Sequence, residues 1–346
     1  LIDQLGLTVA EQASFDKLLQ RAAAIGSATN MRTIGQNPAE MLAVTLMIHH
    51  DRHTLTWSDT PYSEYVVRDH NGNPRLDDNI MTSDPAPWWR VKKKNALFYN
   101  GMARGDHRGT MALATSVCVD DVQTAQKVDD MFVDIQAFIL TIEAPKYSRT
   151  IDVELANTGK SIYDLDCAAC HGTYASAEEA TVGIEDTYPN LLIPLDVIGT
   201  DPVVAQAGVV HSPELVDWYN DSFYGRITRM VPNEPFPGYM PPPLDGIWAT
   251  APFLHNGSVP NIELVLNSAA RPAVWKRASM DSAVFDETTL GFPYIELGYG
   301  QDKAVEEEKD FIYDTRYWSQ SNAGHNFGDH LSNSERRAVI EYLKTL

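Results

Sequence analysis

Two of the three cysteines of this chain stand in the run Cys167-Ala168-Ala169-Cys170-His171, and no other five residues constrain its fold as much. The spacing puts two thiols on one turn with an imidazole directly after them. Three chemistries use such a turn. Covalent attachment of c-type haem needs one thiol per vinyl group and a following His as axial ligand. A dithiol redox pair calls for a strand–helix–strand setting, and no such pattern is visible around it. A structural zinc site needs a second Cys or Cys/His pair, and Cys118 is the one further cysteine. The adjacent His and the flanks Gly159-Lys160-Ser161-Ile162-Tyr163 and Gly172 favour haem. Three cysteines also make a disulfide framework untenable.

The remaining composition narrows the function further. The chain has 346 residues, enough for two domains rather than one. Forty-seven acidic residues against 27 basic ones give a net charge of −20. That argues against binding nucleic acid or anionic lipid, both of which need a basic surface. The longest apolar run, Met41–Ile48, is interrupted by Thr45 and is far too short for a membrane span. With no initiator Met and no signal peptide, the chain beginning at Leu1 reads as a mature or trimmed product.

Apolar spacing predicts a mainly α protein. A helix is expected over residues 8–25, with Thr8 and Glu11 as a capping box and Phe15, Leu18, Leu19 and Ala22 on one face. Further helices are expected over 38–50, 126–143, 153–166, 213–225 and 332–345. The 126–143 helix carries Met131, Phe132, Ile135, Phe138, Ile139 and Ile142 at helical spacing and stops before Pro145. The last one has Ser332 and Glu335 as its capping box and Val339, Ile340 and Leu343 as its stripe. Residues 57–90 and 183–300 are rich in turn formers and read mostly as loops. The 144–147 stretch, Ala-Pro-Lys-Tyr, reads as a linker, with a domain boundary near residue 150.

A helix entering Cys-x-x-Cys-His and a closing amphipathic helix describe a cytochrome c domain. Together with the run Pro243–Pro260, the run Ser321–Gly328, the run Pro87–Tyr99 and Arg104-Gly105-Asp106-His107, these segments resemble the di-haem cytochrome c peroxidase superfamily. They are most similar to its branch of rubber-oxygenase-like c-type cytochromes. The resemblance implies a c-type haem domain with long loops over 151–346. Before it, over 1–150, it implies a second, incomplete cytochrome c-like helical domain. This sequence departs from the family in having one Cys-x-x-Cys-His where two are usual. The opening haem helix of the first domain is expected upstream of Leu1, the alternative being a first domain that has lost its haem.

The resemblance also assigns roles. Cys167 and Cys170 would carry the haem, with His171 as proximal ligand. His325, in a Gly-bounded loop, is the first choice for the sixth ligand, and Met240 in Gly238-Tyr239-Met240-Pro241 the runner-up. His255 is expected to fix its loop rather than bind iron. Backbone carbonyls at Thr250 and Pro252 match ones that help hold Ca²⁺ in the peroxidases, and carbonyl oxygen suits that ion. Trp88, Trp89 and Tyr99 are candidates for an aromatic relay between haems, with loop packing the competing reading. Arg104, Asp106 and His107 are read as polar groups near a first haem or as surface charges. His49, His50 and His53 are read as a solvated helix end, and Cys118 as a buried free thiol.

Two functions from different classes follow. One is an oxidoreductase of the di-haem peroxidase or oxygenase kind, in which this chain relays electrons. The other is a non-enzymatic electron carrier or a subunit of a larger multihaem assembly. Either is expected in the periplasm or outside the cell, where c-type haem is attached. The partner is expected to be a redox protein or a small oxidant.

Overall fold

Side chains at the helix starts decide where regular structure begins. The computed structural model describes residues 6–26, 31–63, 81–210, 212–230 and 236–346. Thr8 and Glu11 form the expected capping box at the start of α1 (Val9–Ile25). Helix α2 (Ala39–Ile48) follows, then α3 (Arg108–Ala114). Asp121 caps α4 (Val122–Ile139), which therefore starts four residues before the apolar periodicity becomes evident. Asp152 caps α5 (Val153–Asp166), and α6 (Ala168–His171) is the single turn that holds the motif.

Six short helices occupy the loop-rich middle: α7 (Ala177–Thr181), α8 (Leu195–Ile198), α9 (Val203–Val210), α10 (Ser212–Asp221), α11 (Tyr224–Ile227) and α12 (Ile262–Val265). After α13 (Glu306–Lys309), the chain closes with α14 (Asn333–Leu343), whose Ser332–Glu335 capping box is present. The strands are short. They pair antiparallel as β1 (Ala96–Leu97) with β2 (Ala103–Arg104) and β3 (Ile193–Pro194) with β4 (Gly238–Tyr239). A third sheet places β5 (Val274–Arg277) between β6 (Tyr294–Glu296) and β7 (Ile312–Asp314). The mainly helical expectation stands. Of the loop expected over 57–90, residues 64–80 lie outside the described residues.

One core lies where α14 crosses α5. Val339, Ile340, Tyr342 and Leu343 meet Tyr163 and the apolar residues of the 244–266 stretch. The crossing is close because Gly159 of α5 lies directly on the α14 backbone at Ala338. A second core combines Val44, Met47, Leu113 and Ala125 with Leu215 and Tyr219 of α10, Tyr224 of α11 and Phe223 between them. Residues far apart in the chain thus share one interior.

Three details differ from the sequence reading. The buried face of α1 is marked by Arg21 and Ile25, while Leu19 and Ala22 are exposed. Arg21 donates to the carbonyls of Val117 and Val119, pairs with Asp120 and lies 4.9 Å over the Trp57 ring. A long cation that can spend its donors on carbonyls is as good an anchor as an apolar stripe. His49 and His50 are buried, not solvated. Their Nδ1 atoms donate to the carbonyls of Ser58 and Leu46, each at 2.7 Å, while His53 is exposed. Cys118 is exposed, because the 3-10 turn Ser116–Cys118 turns Ser116 and the following Val119 inward instead.

Candidate haem site

Helix α5 delivers Cys167 and Cys170 to the wall of a cavity of about 380 Å³. Ligand pockets run from roughly 300 to 1,000 Å³, so the space is of cofactor size. Its lining is overwhelmingly apolar: Ile193, Ile198, Leu244, Ile247, Val265, Leu266, Val339 and Leu343 among others. Burial pushes the Cys167 thiol up to about 12 and raises Cys170 as well. Neutral, half-buried thiols are the reverse of the depressed thiolates of dithiol oxidoreductases. Among the described residues no group of three His, Cys, Asp or Glu side chains could hold a metal ion.

His171 is fixed by its second nitrogen. Nδ1 donates to the carbonyl of Pro242 at 2.8 Å. A carbonyl can only accept, so the proton sits on Nδ1 and Nε2 keeps its lone pair for a ligand bond. Burial lowers the pKa of His171, with Arg90 adding to the effect, and this favours the neutral, coordinating form.

Across the cavity stands His325. Its ring centroid is 6.2 Å from that of His171, with the planes at 56°. Imidazole nitrogens bind metal ions at about 2 Å, so two rings sharing one ion have centroids about 6 Å apart. Burial, then the charges of His171 and Arg271, push His325 down to about 4. His325 adopts the left-handed backbone conformation, φ +50°, after Gly324 at φ +76°. A Cβ on Gly324 would overlap the Gly199 backbone, so only glycine lets the loop pass there. The His325 amide then donates to the Ile198 carbonyl at 2.7 Å.

The other sequence candidates divide clearly. Met240 is buried and lines the same cavity, its amide donating to the Tyr99 carbonyl at 2.7 Å. His255 also lines it, stacked on Tyr239 with centroids 4.1 Å apart. Its Nε2 is buried without a hydrogen-bond partner, and burial pushes its pKa to about 3. Thr250, Pro252 and Tyr99 are further parts of the wall. Trp89 stays outside it. Its Nε1 donates to the Asp245 carbonyl at 2.8 Å, beside Arg90, which does line the cavity. Trp88 is half exposed. Arg104, Asp106 and His107 are not among the lining residues; His107 is buried against the Lys94 carbonyl.

Sequence reasoning missed Arg90, Asp84 and Arg271. Arg90 is buried, and its Nε donates to the Asp245 carbonyl at 3.1 Å. Asp84 faces the same cavity, and burial holds its carboxyl well above the usual range. Arg90 stood inside a quoted motif without a role. Nothing in the sequence marks Arg271, because its partners are backbone carbonyls.

Residues 238–276 match the model of a family described as RoxA-like, cytochrome c-like. That segment starts at β4 and contains the cavity wall from Tyr239 to Leu266. This cytochrome c-like region implies covalently bound haem c and electron transfer. The chain is also similar to two proteins of Sinorhizobium fredii. It is 32% identical to "Uncharacterized protein y4iJ" over 251 residues, 57% of this chain and 39% of that protein. It is 31% identical to "Uncharacterized protein y4iM" over 127 residues, 31% of this chain and 27% of that protein. The chain thus spans well under half the length of either relative. Among the described residues no helix is long and apolar enough to cross a membrane.

One buried carboxyl ties the cytochrome c-like region to the His325 loop. Asp201 accepts from the amides of Val203 and Ser321, each at 3.0 Å, and Tyr239 Oη donates to its carbonyl at 2.6 Å. Burial outweighs the two amides and pushes its pKa up to about 6 from 3.8. An acid whose folded pKa is raised stabilises the fold while protonated, so this contribution is present below about pH 4 and lost as pH rises through about 6. In Asp201→Asn the urea midpoint is expected to lose that part of its slope between pH 4 and 6. An unchanged slope would assign it to other groups.

Proposed function

We propose that this chain would hold one haem c, with Cys167 and Cys170 as the thioether-forming residues and His171 and His325 as the residues ligating its iron, and that it relays electrons. The observation that carries the reading is the pair of imidazoles facing one another, 6.2 Å apart, across an apolar cavity that the Cys-x-x-Cys-His turn enters. Haem supplies the one-electron couple when bound. The protein's part is to hold His171 by Pro242, to keep water from the ligands with the apolar lining, and to place Arg90 beside the cavity as a fixed charge. His/His ligation favours a lower potential than His/Met would. Met240 and His255 then serve as wall rather than as ligands, and Thr250 and Pro252 offer carbonyls near the same wall.

We assign the chain to an oxidoreductase of the di-haem peroxidase or oxygenase kind, with residues 151–346 as the haem domain and 1–150 as a helical companion. Tyr99, on the cavity wall, and Trp89, beside Arg90, are its relay candidates. Such attachment chemistry favours the periplasm or the outside of the cell for this reading. A second reading, a carrier without catalytic activity, is favoured by the same two imidazoles. An iron held between His171 and His325 would have two imidazole ligands, which suits electron transfer without a bound substrate.

The test is the His325→Ala holoprotein. Its ferric spectrum is expected to change from low-spin to high-spin, with cyanide binding at the vacated face. A spectrum that stays low-spin would transfer the sixth position to Met240 or His255. The mass of the native protein separates the two functions. Two haems per polypeptide support the enzyme, and one haem supports the carrier.

A further inference from the structure

The loop that presents His325 is held by one side chain that has no carboxylate partner among the described ion pairs. Arg271 directs all five of its N–H groups at backbone carbonyls. Nε donates to Leu264 at 2.8 Å; Nη1 donates to Asn322 at 2.6 Å and Gly324 at 2.7 Å. Nη2 donates to Val265 at 3.1 Å and to His325 itself at 3.3 Å. The first and fourth of these carbonyls belong to α12, next to Val265 and Leu266 of the cavity wall. The other three belong to the 322–325 turn. The guanidinium is therefore a rivet between the wall and the turn that carries the imidazole.

We infer that Arg271 is a positioning residue for the haem: it holds His325 where its imidazole can take the sixth position opposite His171. This rests on the reading of His325 as that ligand. The chemistry favours arginine over any substitute. Its five donors lie in one rigid plane, whereas lysine offers three from a single point and cannot reach five carbonyls. The turn needs such a clamp because it is strained. A non-glycine residue at φ +50° persists only where its surroundings fix it. The Ile198 carbonyl secures the His325 amide on one side, and Arg271 secures its carbonyl on the other.

The experiment compares Arg271→Lys, Arg271→Gln and His325→Ala with the wild type, all as ferric holoproteins. Both Arg271 variants are expected to show a mixture of low-spin and high-spin haem, and to bind cyanide at least about tenfold more tightly than wild type, or 1.4 kcal/mol. Added imidazole is expected to restore the low-spin spectrum. Thermal midpoints are recorded alongside, since a purely structural role would lower the midpoint and leave spin state and cyanide affinity of the folded protein unchanged; that result overturns the inference. Arg271→Lys keeps the stem and the charge, so it carries the test if Arg271→Gln does not fold. The arms also separate the two claims. A His325→Ala protein that stays low-spin refutes His325 as ligand, and with it the role of Arg271. A high-spin His325→Ala protein beside unaltered Arg271 variants refutes Arg271 alone.

Discussion

His171→Ala is expected to abolish the low-spin spectrum while leaving haem covalently attached to Cys167 and Cys170. The substitution removes the imidazole and also frees the Pro242 carbonyl that oriented it at 2.8 Å. Loss of a partner that merely orients a ligand costs about 10- to 100-fold in metal affinity. Loss of the ligand itself is expected to exceed that range, with holoprotein recovery falling by more than about tenfold. Extraction under acid should still leave the haem on the polypeptide, because thioethers do not depend on the iron. Millimolar imidazole should restore part of the low-spin band by filling the space left by the ring. Haem lost on extraction would mean that Cys167 and Cys170 do not form the bonds assigned to them. An unaltered spectrum would remove His171 from the iron.

Gly159→Ala is expected to destabilise the crossing of α5 and α14 strongly. In the middle of an exposed helix this change is worth about 1 kcal/mol of added stability, since alanine is the better helix former. Here the sign reverses. A Cβ on Gly159 would overlap the carbonyl oxygen of Ala338 and press on Tyr342 Cβ at 2.9 Å. The oxygen belongs to the α14 backbone and cannot swing aside as a side chain would. Overpacking a rigid interior costs about 3 kcal/mol, and more where backbone must move. The net loss is then at least about 2 kcal/mol, a fall in Tm on the order of 5 °C. Val339 and Leu343 line the cavity from the same helix, so on the proposed reading the variant should also load less haem. A Tm equal to or above that of the wild type would show that α5 and α14 part easily.

The parts of the site that were legible in the sequence are those whose chemistry is local. Cys167, Cys170 and His171 could be nominated because theirs is the spacing that thioether formation would demand. Thr8, Ser332 and their glutamates announce helix starts, because a cap acts within three residues. His325 could be nominated from its glycine-bounded loop, but its distance from His171 could not. That distance depends on Gly324 lying against Gly199 and on the amide of His325 reaching Ile198. Arg21 and Arg271 stayed hidden for one shared reason. Each spends donors on backbone carbonyls, which every residue has, so the sequence carries no mark of those contacts; Arg21 pairs with Asp120 besides, but from 99 positions away. The histidines at 49 and 50 were misjudged for the same cause, since carbonyl acceptors made their burial tolerable.

The packing of α10 and α11 has a wider consequence. Leu215, Tyr219 and Tyr224 follow the haem motif in sequence, yet they complete the interior that holds Val44, Met47 and Leu113. Val44 and Met47 share helix α2 with Met41, which packs with Tyr239 of the cavity wall, so the folding of the cavity is coupled to that of a helix far upstream. By thermodynamic linkage, free energy gained from contacts between cofactor and cavity is shared by every element that must be folded for those contacts to exist. If Cys167 and Cys170 hold haem as proposed, its loading would stabilise elements well beyond the site. A polypeptide without haem would lack that contribution, and limited proteolysis is expected to cut its amino-terminal helices faster than those of the loaded protein.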